Sequence, residues 1–93
     1  MKFEKLEILN LSYNKISNID ALENSNFKEL KELYLNNNNI SDIKVLENVK
    51  FEKLEILNLT DNEISNIDIF EYANFNKLKE LYLNYNNISD IKV

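Results

Sequence analysis

One phrase of eleven residues, repeated at a fixed interval of 24, leaves this chain very few ways to fold. LEILNLSYNKI begins at Leu6, and LKELYLNNNNI, LEILNLTDNEI and LKELYLNYNNI begin at Leu30, Leu54 and Leu78. Aligned on Phe3, Phe27, Phe51 and Phe75, the chain divides into coils 3–26, 27–50, 51–74 and an unfinished 75–93. Identical columns result: Leu6, Leu30, Leu54, Leu78; Leu9, Leu33, Leu57, Leu81; Leu11, Leu35, Leu59, Leu83; Ile16, Ile40, Ile64, Ile88; and Ile19, Ile43, Ile67, Ile91. Such columns imply one layer of stacked side chains per coil, in a solenoid whose repeats bury their apolar faces only against neighbours.

Within a coil the period-two pair Leu9, Leu11 predicts a short strand over 8–11, with the leucines turned inward and Ile8, Asn10 and Ser12 outward. Beyond Ile19 the spacing changes to Leu22, Phe27, Leu30, which suggests a helical turn on the opposite side. Asp20 with Glu23, and Asp68 with Glu71, are spaced like capping pairs. Lys44 stands in that slot of the second coil, so its cap is weaker or comes from Asp42. Strands stack about 4.8 Å apart and helices about 8 to 10 Å apart, so the sheet should line a concave side. Gly and Pro are absent, which leaves turns to Asn and Asp, the non-Gly residues most tolerant of left-handed backbone; Asn alone numbers 18.

Each phrase fits L-x-x-L-x-L-x-x-N-x-I, and the chain thereby resembles the leucine-rich repeat family along nearly its whole length. It is similar to the short repeats of internalins and of a regulatory subunit of protein phosphatase 1, without the cysteine-bearing caps of extracellular members. The resemblance implies an α/β fold: a right-handed solenoid of four coils, parallel sheet concave, short helical turns convex; the expected lack of caps departs from the family's natural arrays. It also implies that Asn14, Asn38, Asn62 and Asn86 turn inward after each strand and bond to backbone groups of their own and adjacent coils, as a structural ladder. The chemistry suits that role, since a carboxamide offers donors and an acceptor to backbone groups left over at a bend.

Composition narrows the function classes. Sixteen acidic residues against 11 basic ones, all Lys, give a net charge of −5 and no guanidinium fork, which argues against nucleic acid and anionic membrane surfaces. Without His the commonest general base is missing, and without Cys there is no thiolate metal site and no disulfide framework. Ser12, Ser17, Ser41, Ser65 and Ser89 have no His to activate them, and the acidic residues do not follow a calcium-loop pattern. The expectation is no enzyme, no cofactor and no metal. No apolar run nears the roughly 20 residues of a membrane helix, and the start of the chain alternates charge, so a soluble, cytoplasmic chain is expected. Sequons at Asn10, Asn39, Asn58 and Asn87 are read as chance products of abundant Asn and Ser.

A second period, of 48, overlies the first: coil 1 matches coil 3 at 17 of 24 positions, and coil 2 matches coil 4 at 16 of 19. Charges alternate with it. Glu7, Lys31, Glu55, Lys79 form one column, Glu4, Lys28, Glu52 a second, and Lys5, Glu29, Lys53 a third that fails at Lys77; these should fix register.

Outward rows read Ile8, Glu32, Ile56, Glu80; Asn10, Tyr34, Asn58, Tyr82; Ser12, Asn36, Thr60, Asn84; and Tyr13, Asn37, Asp61, Tyr85. Rigid amphipathic rings beside polar neighbours suit an interface centre. The family's concave sheet binds proteins, so the resemblance implies a protein-binding scaffold, with Tyr34, Ile56, Tyr82, Tyr85, Glu32, Glu80 and Asn58 as the partner-binding residues. The alternative is a structural spacer or self-assembling array, natural or designed, joined through uncapped ends. The whole of 1–93 reads as one array and as a piece of a longer one.

Overall fold

The computed structural model describes residues 5–25, 27–71, 73 and 75–88. Among the positions named above, Phe3, Glu4, Ser89 and Ile91 lie outside the described residues. Strands β1 (Ile8–Asn10), β2 (Glu32–Tyr34), β3 (Ile56–Asn58) and β4 (Glu80–Tyr82) form one parallel sheet in chain order. Leu9 pairs with Leu33, Leu33 with Leu57 and Leu57 with Leu81, so the register equals the repeat.

Each strand is one residue shorter than the expected 8–11, yet pairing runs on past it. The Leu11, Leu35 and Leu59 N–H groups donate to the carbonyls of Tyr34, Asn58 and Tyr82, and those of Tyr13, Asn37 and Asp61 donate to Asn36, Thr60 and Asn84.

The return path of each coil carries a short 3-10 helix, at Asp20–Asn24, Lys44–Glu47 and Asp68–Glu71. Parallel strands require such a crossover, and its right-handed sense gives the solenoid its hand. The capping pairs are not caps. The residue before the first helix is Ile19 and makes no side-chain cap bond, while Asp20 and Glu23 already lie inside the helix, as Asp68 and Glu71 lie inside theirs. Asn18 Oδ1 instead accepts the Asp20 N–H at 2.7 Å, Asp42 that of Lys44 at 3.0 Å, and Asn66 that of Asp68 at 2.8 Å. A short Asn or Asp reaches the backbone two residues ahead without leaving its own turn, and this local bond takes the first exposed donor.

The core is filled by the repeated columns. Leu30, Leu33, Ile40, Leu46, Leu54, Leu57, Leu59 and Ile64 are each 0% exposed. Their counterparts Leu6, Leu9, Leu11, Ile16, Leu78 and Leu83 are only partly buried against that core, and Leu81 is 36% exposed. Behind the leucines the ring of Phe51 is buried, with that of Phe27 tilted against it at 6.1 Å between centroids. Ion pairs tie successive coils at Lys31–Glu7 (3.5 Å), Lys53–Glu29 (2.7 Å) and Lys79–Glu55 (3.5 Å), so two of the three alternating columns carry contacts among the described residues.

Candidate functional site

After each strand the backbone must turn sharply out of the sheet, and it does so through a left-handed residue: Tyr13, Asn37, Asp61 and Tyr85, with φ of 58, 60, 59 and 57°. Asn and Asp fill this position in the two middle coils, as the composition predicts. In the first and last coils it is a tyrosine, for which left-handed backbone is strained. The row therefore does not belong to the strand face; it forms a rim beside it, with Tyr13 76% and Tyr85 81% exposed. Tyr85 is thus set apart from Tyr34, Ile56 and Tyr82. On the same rim Asn37 Nδ2 donates to Asp61 Oδ2 at 2.8 Å.

The residue following the left-handed one turns inward. Asn38 Nδ2 donates to the carbonyls of Leu35 (2.9 Å) and Asn36 (3.2 Å) in its own coil and to that of Leu11 (3.1 Å) in the preceding one, while its Oδ1 accepts the Ile16 N–H at 3.1 Å. Asn62 repeats the set on Leu59, Thr60, Leu35 and Ile40, and Asn86 on Leu83, Asn84, Leu59 and Ile64. Asn38 and Asn62 are 6% exposed. Asn14 makes only own-coil bonds among the described residues, to Leu11 and Ser12. These bonds hold the bend rigid and so fix where the sheet face ends.

On that face the register sets Tyr34 and Tyr82 on either side of Asn58, and Glu32 and Glu80 on either side of Ile56. Tyr34 donates its hydroxyl to Glu32 Oε1 at 2.5 Å, and Tyr82 donates in the same way to Glu80. A strand puts residues i and i+2 on one face, which brings each phenol to its own carboxylate. The hydrogen bond to Glu32 raises the Tyr34 hydroxyl above the ordinary tyrosine range, helped by desolvation and by the charges of Glu32 and Glu80; Glu80 raises Tyr82 likewise, by its hydrogen bond and then its charge. Neither pairing follows from the outward rows, which align residues across strands; the i, i+2 spacing of Glu32 and Tyr34 along one strand is the signal that carries it. Asn58 is partly committed, since its Oδ1 accepts the Thr60 N–H at 3.0 Å. Tyr82 is 39% exposed, whereas Tyr34, Ile56, Glu32 and Asn58 are half-buried by their neighbours.

Away from the sheet, a solvent-open hollow of about 550 Å³ is bordered by Glu23, Glu29, Glu52, Lys28, Lys50 and Lys53. Among the described residues no group of His, Cys, Asp or Glu is arranged to hold a metal ion, and no helix is long and apolar enough to cross a membrane.

A stacked parallel sheet with one short crossover per 24 residues defines a leucine-rich repeat solenoid. A family model described as leucine-rich repeats (2 copies) matches residues 4–48 and 52–93, and the chain belongs to that family. Among solved structures it is similar to an internalin (inlF) from Listeria monocytogenes str. 4b F2365, with a TM-score of 0.66, 30% sequence identity, and 95% of this chain covered. The match spans 31% of the internalin's own chain. No curated protein matches the sequence significantly.

Proposed function

We propose that the chain is a non-enzymatic protein-binding scaffold that meets its partner on the sheet face, through Tyr34, Ile56 and Tyr82 with Glu32, Glu80 and Asn58 around them and Tyr85 on the adjacent rim. The observation that carries this reading is the pair of Tyr–Glu contacts standing on a sheet face that nothing else in the chain covers among the described residues. Phenol rings fixed by a hydrogen bond lose little freedom on binding, which is what an interface centre requires. Family membership and the internalin likeness support a scaffold in general terms. The test compares the wild-type chain with a Tyr34→Ala, Tyr82→Ala double variant, both immobilised. A partner held by the first and lost by the second, at equal thermal stability, supports the reading; equal retention overturns it.

A second reading, coil-to-coil association of copies, is favoured by Leu81, whose 36% exposure contrasts with 0% for its column neighbours Leu33 and Leu57. Sedimentation of the 93-residue polypeptide over a wide concentration range separates the two, because a single 11.1 kDa species throughout removes this alternative.

A further inference from the structure

The charged groups are unevenly distributed. The strand-face and rim rows together contain Glu32, Glu80 and Asp61 and not one of the 11 Lys. The adjacent column largely neutralises itself, with Lys31 bound to Glu7 and Lys79 to Glu55. Among the described residues no cation pairs with Glu32, Glu80 or Asp61, although Asp61 accepts from Asn37. Each face glutamate takes a phenol hydroxyl on Oε1, which holds the carboxylate in place and leaves Oε2 unengaged among the described residues.

Glu32 and Glu80 are equivalent positions on β2 and β4, with β3 between them. Two strand spacings separate them by about 10 Å. Between them lies Ile56, half-buried and apolar. The face therefore presents two anionic and aromatic seats of the same composition, Glu32–Tyr34 half-buried and Glu80–Tyr82 exposed, across an apolar saddle. A lysine or arginine fits such a seat well: its head pairs with the carboxylate and its stem or guanidinium plane lies on the ring. A polyproline-II segment advances about 9.3 Å in three residues and brings side chains i and i+3 to the same side, which matches the two seats.

Resting on the scaffold reading, we propose that the partner presents a cation-x-x-cation segment in extended, polyproline-like form, one cation seated on Glu32–Tyr34, the other on Glu80–Tyr82, with the backbone between them crossing Ile56. A weak general attraction for any cationic peptide is expected from the net charge of −5, so the controls must hold charge constant.

The experiment titrates fluorescent peptides into the full chain and follows anisotropy at physiological salt. The probes are an Arg-x-x-Arg peptide with apolar spacers, an isomer with the two arginines adjacent, and a Glu-x-x-Glu peptide. The first should bind at least about tenfold more tightly than the second, and the third should not bind. Glu32→Gln and Glu80→Gln should each weaken the first peptide about tenfold, as loss of a charged hydrogen bond implies, while Glu47→Gln, on the opposite side, should not. Thermal unfolding of each variant shows whether the fold is intact. Equal binding of the two arginine isomers, or indifference to both face variants in folded protein, overturns the proposal. A partner lost with Tyr34→Ala and Tyr82→Ala yet retained by the Glu32→Gln, Glu80→Gln double variant overturns it too, and leaves the scaffold reading standing.

Discussion

Coils 2 and 3 carry the same leucines as coils 1 and 4, and the two pairs behave differently. Leu33 and Leu57 are 0% exposed, while Leu9 is half-buried and Leu81 exposed, at one and the same position of the repeat. Burial in a stacked array is thus decided by what lies on both sides of a coil and not by the residue itself. The contrast extends to finer features. Middle coils turn through Asn37 and Asp61, outer ones through Tyr13 and Tyr85. Among the described residues the closest ion pair, Lys53–Glu29 at 2.7 Å, joins the two middle coils, and the outer seams have pairs at 3.5 Å.

If that contrast is energetic, Leu57→Ala should cost about 3 to 5 kcal/mol, as truncation of a fully buried leucine does, against about 1 kcal/mol for Leu81→Ala. Urea denaturation of both variants measures it, and equal losses would break the comparison.

The asparagines should follow, with Asn38→Ala and Asn62→Ala each costing about 1 to 3 kcal/mol because buried backbone groups lose their partners. Asn86→Ala should fall between these and Asn14→Ala, since Asn86 keeps every bond of the set but is only half-buried. Denaturation of the four variants in one series checks the order.

Tyr13→Asn should stabilise by about 0.5 to 1 kcal/mol, by easing left-handed strain. Asn37→Tyr should destabilise, and calorimetry on both would show whether the outer turns are the weaker ones.

The smallest effect is electrostatic. Glu29 is held below the ordinary glutamate range by its hydrogen bond with Lys53 and then by that residue's charge, so its contribution is present above that range and is lost as pH falls through the lowered value. Lys53, raised by the hydrogen bond and charge of Glu29, contributes below the ordinary lysine range and loses this as pH rises past it. Tyr34 and Tyr82, also raised, act in the same alkaline direction, so stability should be flat between these limits and decline at both. Lys53→Gln should flatten the acid limb slightly; an unchanged limb would mean that the middle seam is no tighter than the outer ones.

The sheet, its register and its core columns were legible because a period-two pair repeated every 24 residues leaves one parallel arrangement that turns both leucines of each coil inward. What stayed hidden depended on reach. Asp20 looks like a cap by spacing, but Asn18 lies nearer the donor. Tyr13 and Tyr85 look like face residues by column, yet the chain bends one residue earlier and they become the left-handed turn itself. On the candidate face, the positions of Tyr34, Tyr82, Glu32 and Glu80 could be read from the rows, but not the bonds joining each ring to its carboxylate.

The inward asparagines all reach toward lower numbers, and this gives the array a direction of travel. The amide hydrogens of Ile16, Ile40 and Ile64 are each covered by the asparagine of the coil that follows. In hydrogen exchange, Asn62→Ala should therefore speed solvent exchange at Ile40, one coil upstream, and leave the Ile64 amide under the guard of Asn86. Opening would spread backward along the stack one coil at a time, like a zip with teeth cut on a slant.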